Sequence, residues 1–178
     1  MTDICNYKII LIDSKNVIYN GDSNLYDFHI RLSDNIRDVY KIKVLYDAIS
    51  FPTTNLLDIS TYTSKPLNLD NVYINLNDYD RVKSSIIVAN QIIDIRAFDS
   101  IMIDFNKIKT GTGVSETTMY NDFNENEGDY YLQPIEANFN RINIKLIDKN
   151  NNIILKSHIS RFVMKLCIYY NTKKISQF

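Results

Sequence analysis

Alternation of apolar and polar side chains runs through most of residues 139–170, FNRINIKLIDKNNNIILKSHISRFVMKLCIYY. A repeat of two is that of a β-strand with one buried face, because successive side chains point to opposite faces of a sheet. Asn tolerates the positive φ of a tight turn, so the DKNNN segment predicts a turn between two strands. We interpret 139–170 as a β-hairpin that helps build the core through Ile142, Ile144, Leu146, Phe162, Met164 and Leu166.

The same alternation recurs along the rest of the chain, and the runs end at Asn, Asp, Ser or Pro, as strands do. A change of phase near Asp47 predicts a bulge or bend within a long strand. Residues 79–92 favour a short helix instead, since Val82, Ile86 and Ala89 are spaced for one helical face. The predicted strands are 8–13, 25–32, 39–51, 72–76, 92–95, 100–105, 130–133, 141–147, 153–156 and 161–170.

This pattern predicts an all-β fold within a chain of 178 residues. The long connections after Pro52 and Asn106 do not suit an up-and-down meander, whose links are short. They favour a single jelly-roll sandwich of two antiparallel sheets with about eight to ten strands. Residues 106–129 lack periodicity and are predicted to form a long loop. No repeat or linker divides the sequence, so residues 1–178 are predicted to be one domain.

The charge balance argues against binding to nucleic acid. Twenty Lys and Arg face 21 Asp and Glu, a net charge of -1, so no excess positive charge is available to neutralise phosphates. The N-terminus lacks the basic region of a signal peptide, and its apolar run is too short to span a bilayer. Cys5 and Cys167 lie at opposite ends of the chain, without C-x-x-C spacing, and are predicted to be free thiols.

Catalytic groups are scarce in this sequence. The histidines are His29, predicted to be exposed beside Asp27 and Arg31 on the polar face of a strand, and His158, predicted to face solvent. The sequence contains no recognisable nucleophile motif that either histidine could activate, so we predict that the protein is not an enzyme. A hydrolase that uses paired carboxylates remains an alternative, because sequence does not show which carboxylates converge.

Metal and cofactor sites are not predicted either. Asp78 and Asp80, or the NENEGD segment with Glu125, Glu127 and Asp129, supply carboxylates but lack the spacing of an EF-hand loop. We interpret the second segment as a solvated acidic loop. The GTG at 111–113 lacks the Lys and Ser or Thr of a phosphate-binding loop.

Several stretches together resemble the single jelly-roll capsid proteins of large eukaryotic DNA viruses and virophages. They are LYDFHIRLSDNIRDVYKIKVLYDAISFP, VYINLNDYD, GDYYLQPIEANFNRINIKLIDKNNNII and RFVMKLCIYY, which lie within residues 25–80 and 128–170, whereas 81–127 matches nothing in that group. The resemblance implies a penton (vertex) or minor capsid component of an icosahedral shell. It implies partners as well: copies of itself, as in a pentamer, and a major capsid protein. The expected location is the virion, assembled in the host cytoplasm.

Aromatic side chains are the expected assembly contacts, because tyrosine, the commonest aromatic residue here, supplies contact area at low entropic cost. The candidates are Tyr120, Phe123, Tyr130 and Tyr131, although Tyr130 and Tyr131 equally suit a role in covering the core. An alternative function is a sandwich-type binding module, such as a carbohydrate-binding or receptor-binding head or fibre domain on a particle. The 13 Tyr of the chain and the acidic segment 122–129 motivate that alternative.

Overall fold

A computed structural model describes residues 5–52, 71–103, 116–122 and 128–172, and the chain is all-β over these ranges. A 3₁₀ turn at Ser14–Asn16 follows the first strand. The strands are β1 (Cys5–Asp13), β2 (Ile18–Tyr19), β3 (Asp27–Ile36), β4 (Val39–Pro52), β5 (Asn71–Leu76), β6 (Val82–Val88), β7 (Gln91–Ala97), β8 (Asp99–Met102), β9 (Glu116–Asp122), β10 (Asp129–Glu136), β11 (Phe139–Ile147) and β12 (Arg161–Asn171).

Two antiparallel sheets form a sandwich. Sheet A has the order β1-β12-β4-β10, and β9 also pairs with β4. Sheet B has the order β2-β3-β11-β5-β8, while β6 and β7 form a separate hairpin. Neighbours in each sheet are mostly distant in sequence, so the pairing is dominated by long-range contacts.

The core lies between the inner faces of the two sheets. The Phe28 ring of sheet B and the Phe162 ring of sheet A meet there, with their centroids 6.2 Å apart. The inward residues predicted from the alternation at 139–170 are all fully buried: Ile142, Ile144, Leu146, Phe162, Met164 and Leu166. That part of the prediction is confirmed.

The predicted hairpin over 139–170 is wrong. β11 pairs with β3 and β5 in sheet B, whereas β12 pairs with β1 and β4 in sheet A. The Asn-rich turn does form, because the Asp148 carboxylate accepts from the backbone N–H groups of Asn150 and Asn152, each at 2.8 Å. After the turn only isolated bridges remain, Ile147 with Ile153 and Leu25 with Leu155, in place of the strand predicted at 153–156.

The predicted irregularity in the long strand is confirmed. Opposite β12, the register of β4 passes from Tyr46 directly to Val44, so Leu45 is the extra residue of a bulge. The bulge reverses the phase of alternation: Ile42 and Val44 are buried before it, and Asp47 and Ile49 are buried after it. It therefore turns the Asp47 carboxylate toward the interior.

The helix predicted at 79–92 is wrong. This segment forms the β6–β7 hairpin, in which Val82 pairs with Ala97 and Ile87 with Ile92. Ala89 and Asn90 form its two-residue turn with φ of 48° and 65°, as a type I′ turn requires. A high content of β-branched residues favours the extended form over the helix.

The long loop predicted at 106–129 is wrong for Glu116–Asp122, which forms β9. This strand pairs with β4 from Tyr46 opposite Asp122 to Pro52 opposite Glu116. Residues 106–115 and 123–127 lie outside the described part of the chain.

Candidate functional site

An apolar row lies on the outer face of sheet A, along its edge strand β1. The Tyr7, Ile9 and Leu11 side chains are 61%, 49% and 66% exposed. The opposite phase of the strand carries Ile10 and Ile12, which pack in the core. Apolar residues at both the odd and the even positions of a strand are the sequence signal for a strand that is covered on both faces.

Aromatic and cationic side chains continue this outer face across the sheet. The Tyr169 ring on β12 lies 6.0 Å from the Tyr7 ring. Lys41 Nζ on β4 sits 4.0 Å above the Tyr169 ring and 5.7 Å from the centre of the Tyr131 ring on β10. Asp129 accepts a salt bridge from the same Lys41 Nζ at 3.3 Å. Tyrosine and lysine packed in this way form a rigid surface with apolar area and polar tips.

The residues predicted as assembly contacts occupy different environments. Tyr131 is exposed on the outer face of sheet A. Tyr130 packs against the core, where its ring stacks on Tyr79 at 5.2 Å. Tyr120 lies in β9, where its backbone pairs with that of Ala48. Phe123 lies outside the described residues.

A small polar pocket of about 280 Å³ opens where β5 ends and β11 begins, beside the Tyr79 ring. Asn77 forms one wall, and its Oδ1 accepts from the backbone N–H of Asn143 at 2.8 Å and from the Asn143 side chain at 3.3 Å. Arg141 and Glu136 complete the lining. Amide, guanidinium and carboxylate groups around an aromatic ring can hydrogen-bond and stack on a polar, ring-shaped ligand.

The Tyr79 side chain separates this pocket from a second one of about 320 Å³, which Tyr130 and Pro134 help to line. The Tyr79 hydroxyl donates a hydrogen bond to the Glu136 carboxylate. Burial and the neighbouring Glu136 raise the pKa of Tyr79, so this hydroxyl stays protonated. The donor and its acceptor therefore hold the rim of both pockets in place.

A buried charged cluster lies between the sheets, where β4 approaches β8. Asp47 and Asp99 are both buried, and Asp47 is close enough to influence the pKa of the Asp99 carboxyl group. Arg81 compensates the charge of Asp99, with Nη2 at 2.6 Å from Asp99 Oδ2. Burial raises the pKa of Asp99, and Arg81 acts in the opposite direction.

This cluster brings together two carboxyl groups, as the hydrolase alternative requires, but its geometry is that of a structural ion pair. Arg81 also donates through Nε to the Phe98 carbonyl at 2.8 Å, so its guanidinium links two chain segments. Neither carboxyl group is accessible to a substrate. Sequence reasoning missed the cluster because its three members are separated along the chain and meet only in the fold.

The histidines differ from their predicted positions. His29 is buried, so its predicted exposure is wrong: β2 pairs with β3 beside it, and Asn20 Oδ1 lies 2.7 Å from His29 Nδ1. Burial lowers the pKa of His29, and the nearby Arg141 and Arg31 act in the same direction. His158, predicted to face solvent, is half-buried, and burial lowers its pKa as well.

The acidic residues considered as cation ligands are dispersed or paired with basic groups. Asp129 contacts Lys41 and Lys43, and Asp80 lies 3.5 Å from Arg96. Glu125 and Glu127 lie outside the described residues. Over the described ranges, no three Asp, Glu, His or Cys side chains converge as metal ligands would. Cys167 is a buried free thiol whose pKa is raised by burial.

No protein-family model matches the chain, and no curated protein matches its sequence. Within the described ranges, none of the helical structure is long and apolar enough to cross a membrane.

Proposed function

We propose that the protein is a structural virion component with a single jelly-roll fold: a penton or a minor capsid protein that assembles through protein-protein contacts. It acts as a shape-forming subunit and not as an enzyme. Its proposed partners are further copies of itself and a major capsid protein, and its proposed location is the virion, assembled in the host cytoplasm. The sequence resemblance first suggested this role.

The strand order is the observation that carries the proposal. A jelly roll has eight main strands in two sheets, the first containing strands one, eight, three and six and the second containing two, seven, four and five. Sheet A matches the first order when β1, β12 and β4 are followed by β9 and β10, which share the sixth place. Sheet B matches the second order through β3, β11, β5 and β8. The β6–β7 hairpin is then an insertion between the fourth and fifth strands.

The outer face of sheet A adds physical support. A solvated sheet face normally carries polar residues, whereas this one presents Tyr7, Ile9, Leu11 and Tyr131. Contiguous apolar and aromatic area on the surface of a β-sandwich is typical of contact with another protein. A shell subunit needs such a face on a rigid body.

The proposal is tested by co-expressing the chain with the major capsid protein encoded by the same virus. We expect ordered oligomers of the chain alone or bound to that protein, visible by negative-stain electron microscopy and multi-angle light scattering. We also expect the chain in purified virions by mass spectrometry. Fivefold particles would identify a vertex protein, and other symmetry a minor shell component. A chain that remains monomeric, does not bind the major capsid protein and is absent from virions would refute the proposal.

The polar pocket beside Tyr79 favours one second candidate, a carbohydrate-binding module on a particle. Its Asn-rich lining, with Arg141 and Glu136, offers hydrogen-bond partners for sugar hydroxyls. A glycan array with the intact chain tests this candidate. Arg141→Ala should abolish any binding, while the matched control Arg37→Ala, an exposed arginine outside this pocket, should leave it unchanged. Absence of binding by the unmodified chain would remove the candidate.

A further inference from the structure

Strand β1 forms a long edge of sheet A that the rest of the described chain leaves open. Over the described ranges, β1 pairs only with β12, along all nine of its residues. No other described strand therefore lies along its second side. An edge of this length with apolar side chains is a template for pairing with another chain.

Three other edges, β2, β8 and β10, carry features that discourage such pairing. In sheet B the edge strands β2 and β8 have only two and four residues. In sheet A, β10 contains Pro134, which lacks a backbone N–H, and its pairing is irregular between Tyr131 and Glu136. Short strands, proline and bulges are the usual protections of an edge. Of these four edges, β1 is therefore the best suited to accept a strand.

We propose that β1 pairs antiparallel with β1 of a second copy of this chain, around a twofold axis that passes through Ile9. The proposal deepens the assembly function above, on which it rests for the high local concentration of copies. It names the contacting strand, its register and its partner.

The alternation of β1 selects this register. Residues directly opposite in an antiparallel pair share a face, so a twofold axis between two β1 strands must pass through a residue position. An axis at Ile9 places Tyr7 opposite Leu11 of the second molecule. It also places Ile9 opposite Ile9 of the second molecule. The exposed apolar row then continues without interruption into the second molecule, and all nine residues have partners.

The neighbouring registers are less favourable. An axis at Lys8 would place two lysines directly opposite each other, and like charges in that arrangement are destabilising. An axis at Ile10 would place Tyr7 opposite Asp13, whose carboxylate is held by Arg161 at 2.6 Å. The residues Cys5 and Asn6 would then extend past the partner strand. Charge and strand length therefore favour the same axis at Ile9.

Lys8 is the basic residue on the pairing length, and it could oppose association because inward-pointing lysines protect some edges. Its Nζ lies 2.6 Å from Asp34 Oδ2 of the same chain, so the charge is locally compensated. In the Ile9 register Lys8 faces Ile10 of the second copy. The lysine can keep its own salt bridge while the strands pair.

The strength of the contact follows from its size. Nine residues at 3.4 Å each give a strand of about 30 Å, and a single strand pair buries less than the roughly 1,200 Å² of a stable interface. The contact is therefore weak between free molecules. It becomes significant where a particle holds copies close together, because the effective concentration is then high.

Disulfide trapping detects such a weak pair and reports its register. The experiment uses the full chain with Cys5→Ser and Cys167→Ser, because Cys167 lies opposite Ile9 within the same sheet. In this background we expect Ile9→Cys to give covalent dimers under mild oxidation at least about tenfold faster than the control Ile18→Cys. Ile18 is a matched control because it is 55% exposed but lies on the short strand β2 of sheet B.

A second variant tests the register. Lys8→Cys should form dimers slowly, because the two cysteines would be diagonal neighbours about 7–8 Å apart, beyond the usual reach of a disulfide. An equal mixture of Tyr7→Cys and Leu11→Cys chains should instead yield the mixed dimer. Equal rates for Ile9→Cys and Ile18→Cys would overturn the pairing, and faster trapping of Lys8→Cys would overturn the register.

Failure of this inference differs from failure of the capsid proposal. If Ile9→Cys does not cross-link but the chain is incorporated into virions, β1 pairing is wrong and the capsid role stands. If Ile9→Cys dimers form while the chain is absent from virions and does not bind the major capsid protein, the pairing stands and the capsid role is wrong.

Discussion

Replacement of Arg81 by Met is expected to destabilise the sandwich strongly. The substitution removes the guanidinium that lies 2.6 Å from Asp99 while keeping an apolar stem of similar length. Asp99 is 3% exposed and Asp47 is fully buried, so water cannot solvate a carboxylate that has lost its guanidinium partner. The variant therefore leaves a negative charge in the interior without its cation.

The expected loss is about 3–5 kcal/mol in the free energy of unfolding, the usual result of breaking a buried pair from one side. A Coulomb estimate agrees: two unit charges about 4 Å apart at an effective dielectric constant of 20 attract by about 4 kcal/mol. This loss is a large part of the 5–15 kcal/mol that stabilises a typical domain.

The loss should depend on pH in a defined direction. Burial raises the pKa of Asp99 above its ordinary value of 3.8, so stability from this group is fully present below that value and falls as pH rises through the folded-state pKa. Arg81 opposes this rise in pKa. Without Arg81, the folded-state pKa of Asp99 moves higher, and more stability is lost as the solution becomes neutral.

Urea unfolding at about pH 5 and about pH 8, followed by circular dichroism, measures both effects. We expect the Arg81→Met deficit to be larger at the higher pH. Arg96→Met is the matched control, because Arg96 is exposed and lies 3.5 Å from Asp80, so its loss should stay below about 1 kcal/mol. A deficit for Arg81→Met equal to that of the control, or one that increases toward acid pH, would refute the reasoning.

Three further predictions concern single elements of the fold. Phe162→Ala should cost about 3–5 kcal/mol in urea unfolding, since its ring is fully buried between the sheets; a loss below about 1 kcal/mol would contradict this packing. Ala89→Gly should raise the unfolding free energy by up to about 1 kcal/mol, because Ala89 has a φ of 48°; Asn90→Gly is the comparison, and a smaller gain is expected there because Asn tolerates positive φ. Arg161 lowers the pKa of Asp13, so this carboxylate contributes stability above about pH 4 that is lost on acidification. Asp13→Asn should therefore lower stability by up to about 1 kcal/mol at neutral pH and less near pH 3, and a pH-independent loss would contradict the prediction.

Local alternation was sufficient to identify most strands. Period two specifies which side chains share a face, and it correctly placed Ile142, Ile144 and Leu146 in the core. The phase change near Asp47 likewise identified the bulge, because a bulge reverses the alternation at a single extra residue. Sequence periodicity failed at 79–92, where the spacing of Val82 and Ile86 suited a helix but the two-residue turn at Ala89 and Asn90 selected a hairpin.

The candidate surfaces were only partly predictable. Tyr131 was selected for its residue type and is exposed on sheet A, but its neighbour Tyr130 packs against the core. His29 was predicted to be exposed because its strand alternates, yet it is buried, beside β2 and with Asn20 Oδ1 2.7 Å from its Nδ1. The exposure of a residue on the polar face of a strand depends on the neighbouring segments that pack around it. Alternation along the strand itself carries no information about those segments.

The sequence by itself determined that this protein is built from strands and which side chains share a face of each strand, because both follow from the geometry of a single extended chain. Only the tertiary structure decided which strands are neighbours. It separated β11 and β12 into opposite sheets, brought Asp47, Asp99 and Arg81 into one cluster, and left β1 at an edge. Alternation is a local property, whereas strand pairing is selected by long-range burial and backbone hydrogen bonding, so one alternating pattern is compatible with many pairings.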